Sequence, residues 1–174
     1  LEGAADFMIR GNGAGTNWAG FYNTTLAEAF ARGRLARAND MAPSVRIVLF
    51  MGDYLKRNYH GRYYAKAQNA RHLLTEAYDE ALERFDLLVM PTVPIRATPL
   101  PSPDHSIEED LMLTATMPGN TCQGDVTGHP SMSVPCGMAD GLPIGMMITG
   151  RHFEDSQVIS AAAAFESVSQ WRTV

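Results

Sequence analysis

Residues 120–153, NTCQGDVTGHPSMSVPCGMADGLPIGMMITGRHF, constrain this chain more than any other stretch. Two apolar runs, 132–134 and 144–148, lie on either side of a Met-Ala-Asp-Gly-Leu-Pro segment. Asp140-Gly141 is a pair that supplies the positive-φ geometry of a tight reversal, and Pro135 and Pro143 punctuate the flanking strands. The two runs are therefore expected to pair as an antiparallel hairpin. Ahead of them, in Thr127-Gly128-His129-Pro130, the glycine permits close backbone approach and the proline forces an extended entry. Behind them, Glu154 and Asp155 open a helix that carries Val158, Ala162, Phe165 and Val168 at helical spacing, with its acids at the positive end of the helix dipole.

The same reasoning orders the upstream chain. Thr24-Thr25 caps a short helix through Arg34, with Leu26, Ala29 and Phe30 on one face. Asp40 and Pro43 begin a second helix that turns Val45, Val48, Leu49 and Leu55 inward and is weakened by Gly52. From Arg62 to Arg84, Tyr63, Ala67, Ala70, Leu74, Ala77 and Ala81 recur at spacings of four and three, which defines one stripe of a long helix. Asp86-Leu-Leu-Val-Met90, stopped by Pro91, reads as a central strand buried on both faces, and helix followed by buried strand indicates a layered α/β protein. The prolines between 91 and 106 predict an irregular surface connection, ending at a helix that starts near Ser106 with Glu108, Glu109 and Asp110 in its first turn.

Composition excludes several classes of function. A net charge of −5 disfavours nucleic acid and anionic membrane as partners, because both need a basic face. No apolar run reaches the roughly 18–20 residues of a membrane span, and the first residues given show no signal-peptide pattern. Cys122 and Cys136, the two cysteines, form neither a disulfide framework nor a Cys-x-x-Cys pair, which fits a reducing, cytoplasmic setting. The chain starts at Leu1 and not Met, as a fragment or processed piece would.

Asn120, Gly128-His129-Pro130, Ser133-Val134-Pro135, Gly137, Gly141-Leu142-Pro143-Ile144-Gly145 and Gly150-Arg151, followed by a helix, form an order that resembles the C-terminal segment of the amidase signature family. Tyr59-His-Gly-Arg-Tyr-Tyr64 and Phe85-Asp-Leu-Leu-Val-Met-Pro-Thr-Val-Pro94 extend the resemblance over about residues 50–170, nearest to the amidases that accompany nitrile-degrading enzymes. It implies an α/β protein: the C-terminal part of an α/β/α fold, a mixed sheet covered by helices, with a late antiparallel hairpin and a C-terminal helix. Residues 1–174 would then be one portion of a single domain, and the faces meant for the remainder would leave apolar surface exposed.

The family's catalytic group is a serine nucleophile, a second serine in a cis peptide and a lysine, which with a lowered pKa can act as base. The Gly/Ser-rich run that would carry it is absent here, and Ser131 and Ser133 sit in strand-like sequence between prolines. No residue of this chain is therefore assigned a catalytic role, and the lysine and both serines are expected in an N-terminal part not present. The expected contribution of this chain is the far wall of a carboxamide pocket: Thr116, Met117, Asn120 and Thr127 in the segment 112–127, and Trp18, because the family's pocket receives side chains from that region. Asn120 can pair with an amide or tie the loop backbone, and the tie is favoured.

Rival chemistries are weaker. Arg10-Gly-Asn-Gly-Ala-Gly-Thr-Asn17 lacks the rest of a phosphate loop and reads as a flexible turn. Cys122, Asp125, His129 and Cys136 match no standard zinc spacing, and His60, His72, His105 and His152 read as solvated or core-edge histidines, so no metal and no cofactor is expected. Glu108, Glu109 and Asp110 do not face one another as a glycosidase pair would. The resulting expectation is an amidase segment, inactive by itself, whose whole protein hydrolyses a linear carboxamide through an acyl-enzyme. Its partners are a small amide, the missing N-terminal part and, as an option, a second copy. The alternatives are a non-catalytic binding or assembly module, or the amidotransferase subunit that makes ammonia for transfer-RNA charging.

Overall fold

A computed structural model describes residues 1–14 and 21–171, which divide into two compact units, 1–68 and 69–174. The first unit contains α1 (Glu2–Ala5), a π-turn (Asp6–Arg10), α2 (Thr24–Ala36) and α3 (Pro43–Tyr59). The helix α4 (Arg62–Arg84) carries the chain from the first unit into the second. Beyond it lie β1 (Leu88–Pro91), α5 (Ile107–Thr116), α6 (Cys122–Thr127), β2 (Ser131–Ala139), β3 (Leu142–Thr149) and α7 (Asp155–Val168).

Close packing of α1 on α3 organises the first unit. A Cβ at Gly52 would lie 2.3 Å from the carbonyl oxygen of Leu1, so the residue expected only to weaken α3 is the one that lets α1 approach. Leu49 and Ala5 are buried at this contact, whereas Val45 is exposed and Val48 and Leu55 are half-buried. The Glu2 carboxylate accepts a hydrogen bond from the backbone N–H of Tyr64 in the first turn of α4 (3.1 Å), satisfying a donor that the helix cannot satisfy itself. Asp6 is held below the ordinary carboxylate range by hydrogen bonds from Lys56 and then Arg10. Asn23, and neither of the two threonines after it, caps α2 by accepting from the N–H of Leu26 (3.0 Å).

In the second unit β3 is flanked by β1 and β2, with every described pairing antiparallel. Met132 faces Ile148 and Val134 faces Met146, as the hairpin reading requires. Asp140 (φ 52°) and Gly141 (φ 78°) both take positive φ at the turn, the two-residue geometry that matches strand twist. The strands run past their prolines: Pro135 and Pro143 lie inside them, and the register shifts between Pro135 and Gly137, where the missing N–H is absorbed by a bulge. Beside this hairpin β1 is an edge strand with Val89 59% exposed, so the sequence reading of a central, doubly covered strand is not seen among the described strands. Helices together with this three-stranded sheet make the α/β class that the sequence predicts, the described pairings being the antiparallel ones.

Ile148, Val158 and Ala162 form the buried centre of this unit, with Leu87, Met132, Val134, Met146 and Ala161 around them. Helix α4 has the ends the sequence predicts, but its predicted stripe is only partly covered. Leu74, Tyr78 and Ala81 are half-buried and Leu82 is buried, while Tyr63, Ala67, Ala70 and Ala77 are exposed. The covered face is set by what α4 meets at its C-terminal end. There Arg151 donates to the carbonyl of Leu82 through Nε (2.9 Å) and Nη2 (2.6 Å), and to that of Phe85 at 3.3 Å. A cation at these carbonyls satisfies acceptors that the helix leaves open and opposes its negative end. Phe153 (97%), Leu100 (94%) and Phe21 (94%) are almost fully exposed, and no described helix is long and apolar enough to cross a membrane.

Replacing Arg151 by methionine keeps the apolar stem and removes the charged donors. The expected result is a loss of about 1–2 kcal/mol in urea unfolding, with faster amide exchange in the last turn of α4. An unchanged urea midpoint contradicts the role given to this side chain.

Candidate functional site

The polar segment after α5 is fixed to the end of β1 by one side chain. Asn120 Nδ2 donates to the carbonyl of Pro91 at 2.8 Å, which is the backbone tie the sequence favours. Its Oδ1 has no partner among the described residues, so the acceptor half of the amide stays available. Gln123 Nε2 donates to the carbonyl of Gly119 (2.9 Å), and α6 ends at Gly128, whose φ of 80° suits a glycine cap.

Pro91 also lines a cleft of about 450 Å³ shared with Val93, Pro94, Met117, Ile144 and Gly145. Most of these side chains are apolar, as in a site that surrounds a small organic ligand. At its edge the Thr92 and Ser133 hydroxyls are 2.5 Å apart, and a Cβ on Gly145 would stand 2.8 and 2.9 Å from their oxygens. Glycine at 145 is therefore a requirement of the cleft wall. A second groove of about 680 Å³ runs along α5 between Pro101, Asp104, His105, Glu109, Met112 and Thr116.

The structure separates the residues that the sequence grouped together. Met117 lines the apolar cleft and Asn120 holds its rim, but Thr116 belongs to the groove, with its hydroxyl donating to the Leu113 carbonyl (3.0 Å). Thr127 lines neither: it is buried at the end of α6 and its Oγ1 has no hydrogen-bond partner among the described residues. Trp18 lies outside the described residues. The sequence reading missed the segment 91–98, taken as a surface connection, although Pro91 to Pro94 close the motif that begins at Phe85 and gave the only signal.

Catalytic chemistry has no carrier among these groups. Ser131 shares a hydroxyl pair with Thr149 (2.8 Å) and Ser133 shares one with Thr92. Of the two lysines in the sequence, Lys56 is paired with Asp6 and Lys66 is exposed on α4. A serine needs a base at hydrogen-bond distance to become a nucleophile, and the side-chain partner of each of these two serines is a threonine hydroxyl. Among the described residues, the metal-ligating side chains of Asp79, His129 and His152 converge, with ligand atoms within 4.8 Å of one another.

Residues 23–159 match the family model described as Amidase. An "Uncharacterized protein in nthA 5'region" of Rhodococcus erythropolis is 42% identical over 96% of the chain and 84% of its own length. An enantioselective amidase of Rhodococcus rhodochrous is 40% identical over 95% of the chain but 32% of its own length. Among solved structures, a glutamyl-tRNA(Gln) amidotransferase subunit of Thermotoga maritima aligns with a TM-score of 0.54 and 28% identity, over 84% of the chain and 31% of that protein. The chain thus spans about a third of the length of the last two.

The groove along α5 makes a pH-dependent prediction. Ser106 and Glu109 form a capping box: the Glu109 carboxylate accepts from the Ser106 N–H (2.8 Å) and hydroxyl (3.1 Å), and these bonds hold its pKa below the ordinary 4.5. A lowered folded-state pKa stabilises above the unfolded value, and that contribution is lost as pH falls through the folded one. The Glu109 carboxyl signal in NMR is therefore expected to titrate below 4.5, with α5 fraying as it does, and Ser106→Ala is expected to return it upward. An identical titration in the variant contradicts the box.

Proposed function

Because the chain belongs to the Amidase family, we propose that it supplies one wall of the substrate pocket of an amidase that hydrolyses a linear carboxamide to a carboxylic acid and ammonia. The observation that carries this reading is the loop 117–120: Met117 opens into an apolar cleft, and Asn120 fixes the rim while leaving an amide oxygen free. Together they offer an apolar surface for an acyl group and an acceptor for a carboxamide N–H. The nucleophilic serine, its partner serine and the lysine base belong to other polypeptide, through which an acyl-enzyme forms and is hydrolysed. The family match runs across the boundary between the two units, which supports reading both as parts of one amidase domain. Exposed Phe153 and Leu100 supply apolar surface for the remainder to cover. Both cysteines are free thiols, in keeping with a cytoplasmic enzyme.

A second reading has its own support. The R. erythropolis relative is matched over most of its length, so a protein of similar size exists, and a chain of this kind could serve as a non-catalytic module. Likeness to the amidotransferase leaves transfer of ammonia, in place of its release, as the other outcome.

The two readings separate in a chimera in which this chain replaces the matched third of the R. rhodochrous amidase. With propionamide and benzamide, the chimera is expected to release ammonia and the 174-residue chain to release none. Asn120→Ala in the chimera is expected to lower kcat/KM roughly tenfold, the cost of about one hydrogen bond. Turnover by the chain alone overturns the division of roles, and a folded but silent chimera favours the module.

A further inference from the structure

His129 is the most deeply buried histidine side chain of the second unit, with none of its surface exposed, and it sits in the loop between α6 and β2. Its ring packs on Tyr78 (centroids 5.4 Å apart) and on His152 (4.0 Å), while its Nε2 lies 3.1 Å from Oδ1 of Asp79. Its Nδ1 is buried without a partner, and no hydrogen bond or ion pair is found for His152 among the described residues. Burying an imidazole is unfavourable unless its nitrogens are paired; here the Nε2 of His129 meets Asp79, and ligand atoms of Asp79, His129 and His152 all lie within 4.8 Å of one another.

We propose that Asp79, His129 and His152 form a binding site for a first-row divalent transition ion, with zinc as its preferred occupant. Two imidazoles and one carboxylate are a donor set suited to zinc, cobalt or nickel, and unsuited to calcium or magnesium, which favour oxygen throughout. The 3.1 Å between Nε2 of His129 and Oδ1 of Asp79 is close to the separation of two atoms each bonded at about 2.0–2.2 Å to one tetrahedral ion. Three protein ligands leave the fourth position for water or for a group from elsewhere. Asp79, about half exposed, keeps the site open to solvent.

The three ligands come from α4, the loop before β2 and the turn between β3 and α7, so one ion would join three elements that are remote in sequence. Arg151, next to His152, already fixes that turn to the carbonyls of Leu82 and Phe85, and His152, stacked on His129 with centroids 4.0 Å apart, has to turn its ring out of that stack to aim a nitrogen at the ion. Because an unfolded chain lacks this arrangement, binding is expected to raise the unfolding midpoint with zinc concentration. The inference depends on these side chains alone and not on the amidase reading, since none of the three lines the cleft or the groove.

The test is calorimetric titration of the EDTA-treated 174-residue chain with zinc chloride. One equivalent is expected to bind with a micromolar or tighter Kd, and magnesium is expected to give no heat. Asp79→Asn and His152→Asn, both at partly exposed positions, are each expected to weaken binding at least roughly tenfold while leaving the far-UV circular dichroism of the metal-free chain unchanged. Should either variant fail to fold, histidine ring signals in NMR of the unmodified chain decide the question: those of His129 and His152 are expected to move at one equivalent of zinc, and those of His60, His72 and His105 to stay. Absence of binding tighter than about 1 mM, full affinity in either folded variant, or loss of binding in Cys122→Ser/Cys136→Ser overturns the proposal.

Discussion

The guanidinium of Arg151 lies against the carbonyls of Leu82 and Phe85, where α4 ends and the chain turns toward β1. These acceptors cannot be satisfied within the helix, and a planar, permanently charged donor can reach both. The contact fastens the turn after β3 to the end of α4, a sequence separation of 69 residues for Leu82. Once it is made, β3 is held between β1 and β2 and α7 can fold back on the sheet through Val158 and Ala162. Gly150 is part of the same constraint: a Cβ there would stand 2.7 Å from Cγ2 of Val158, so only glycine lets α7 approach this closely.

With the sheet fixed, the end of β1 becomes a stable edge on which to hang a polar loop. A loop carries backbone groups that water would otherwise satisfy, and Asn120 satisfies one of them at Pro91 without closing the space beside it. The cleft at Met117 is thus a consequence of the strand, the tie and the close approach permitted by Gly145.

Features whose physics is local could be read from the sequence. The Asp140-Gly141 turn, the ends of α4, and Ser106 with Glu109 at the start of α5 each depend on residues within a few positions of one another. Where the sequence reading departs from the structure, a distant partner is responsible. Gly52 reads as a flaw in a helix until Leu1 is brought against it, and the stripe on α4 loses its cover because Tyr78 and Leu82 meet the partners that matter. His129 and Asp79 are 50 residues apart, so spacing rules tuned to short zinc motifs could not pair them. The site was legible in part for the same reason. Asn120 belongs to an ordered motif, whereas Thr127 shares its polarity and neighbourhood but is turned into the interior.

The central claim is that residues 91–120 face an amide substrate, and photolabelling tests it most directly. A benzophenone carboxamide, irradiated with the active chimera and mapped by mass spectrometry, should attach between Pro91 and Asn120, with Met117 the foremost site and excess benzamide suppressing the label. Labelling that competes with benzamide yet falls entirely outside this segment would contradict the account.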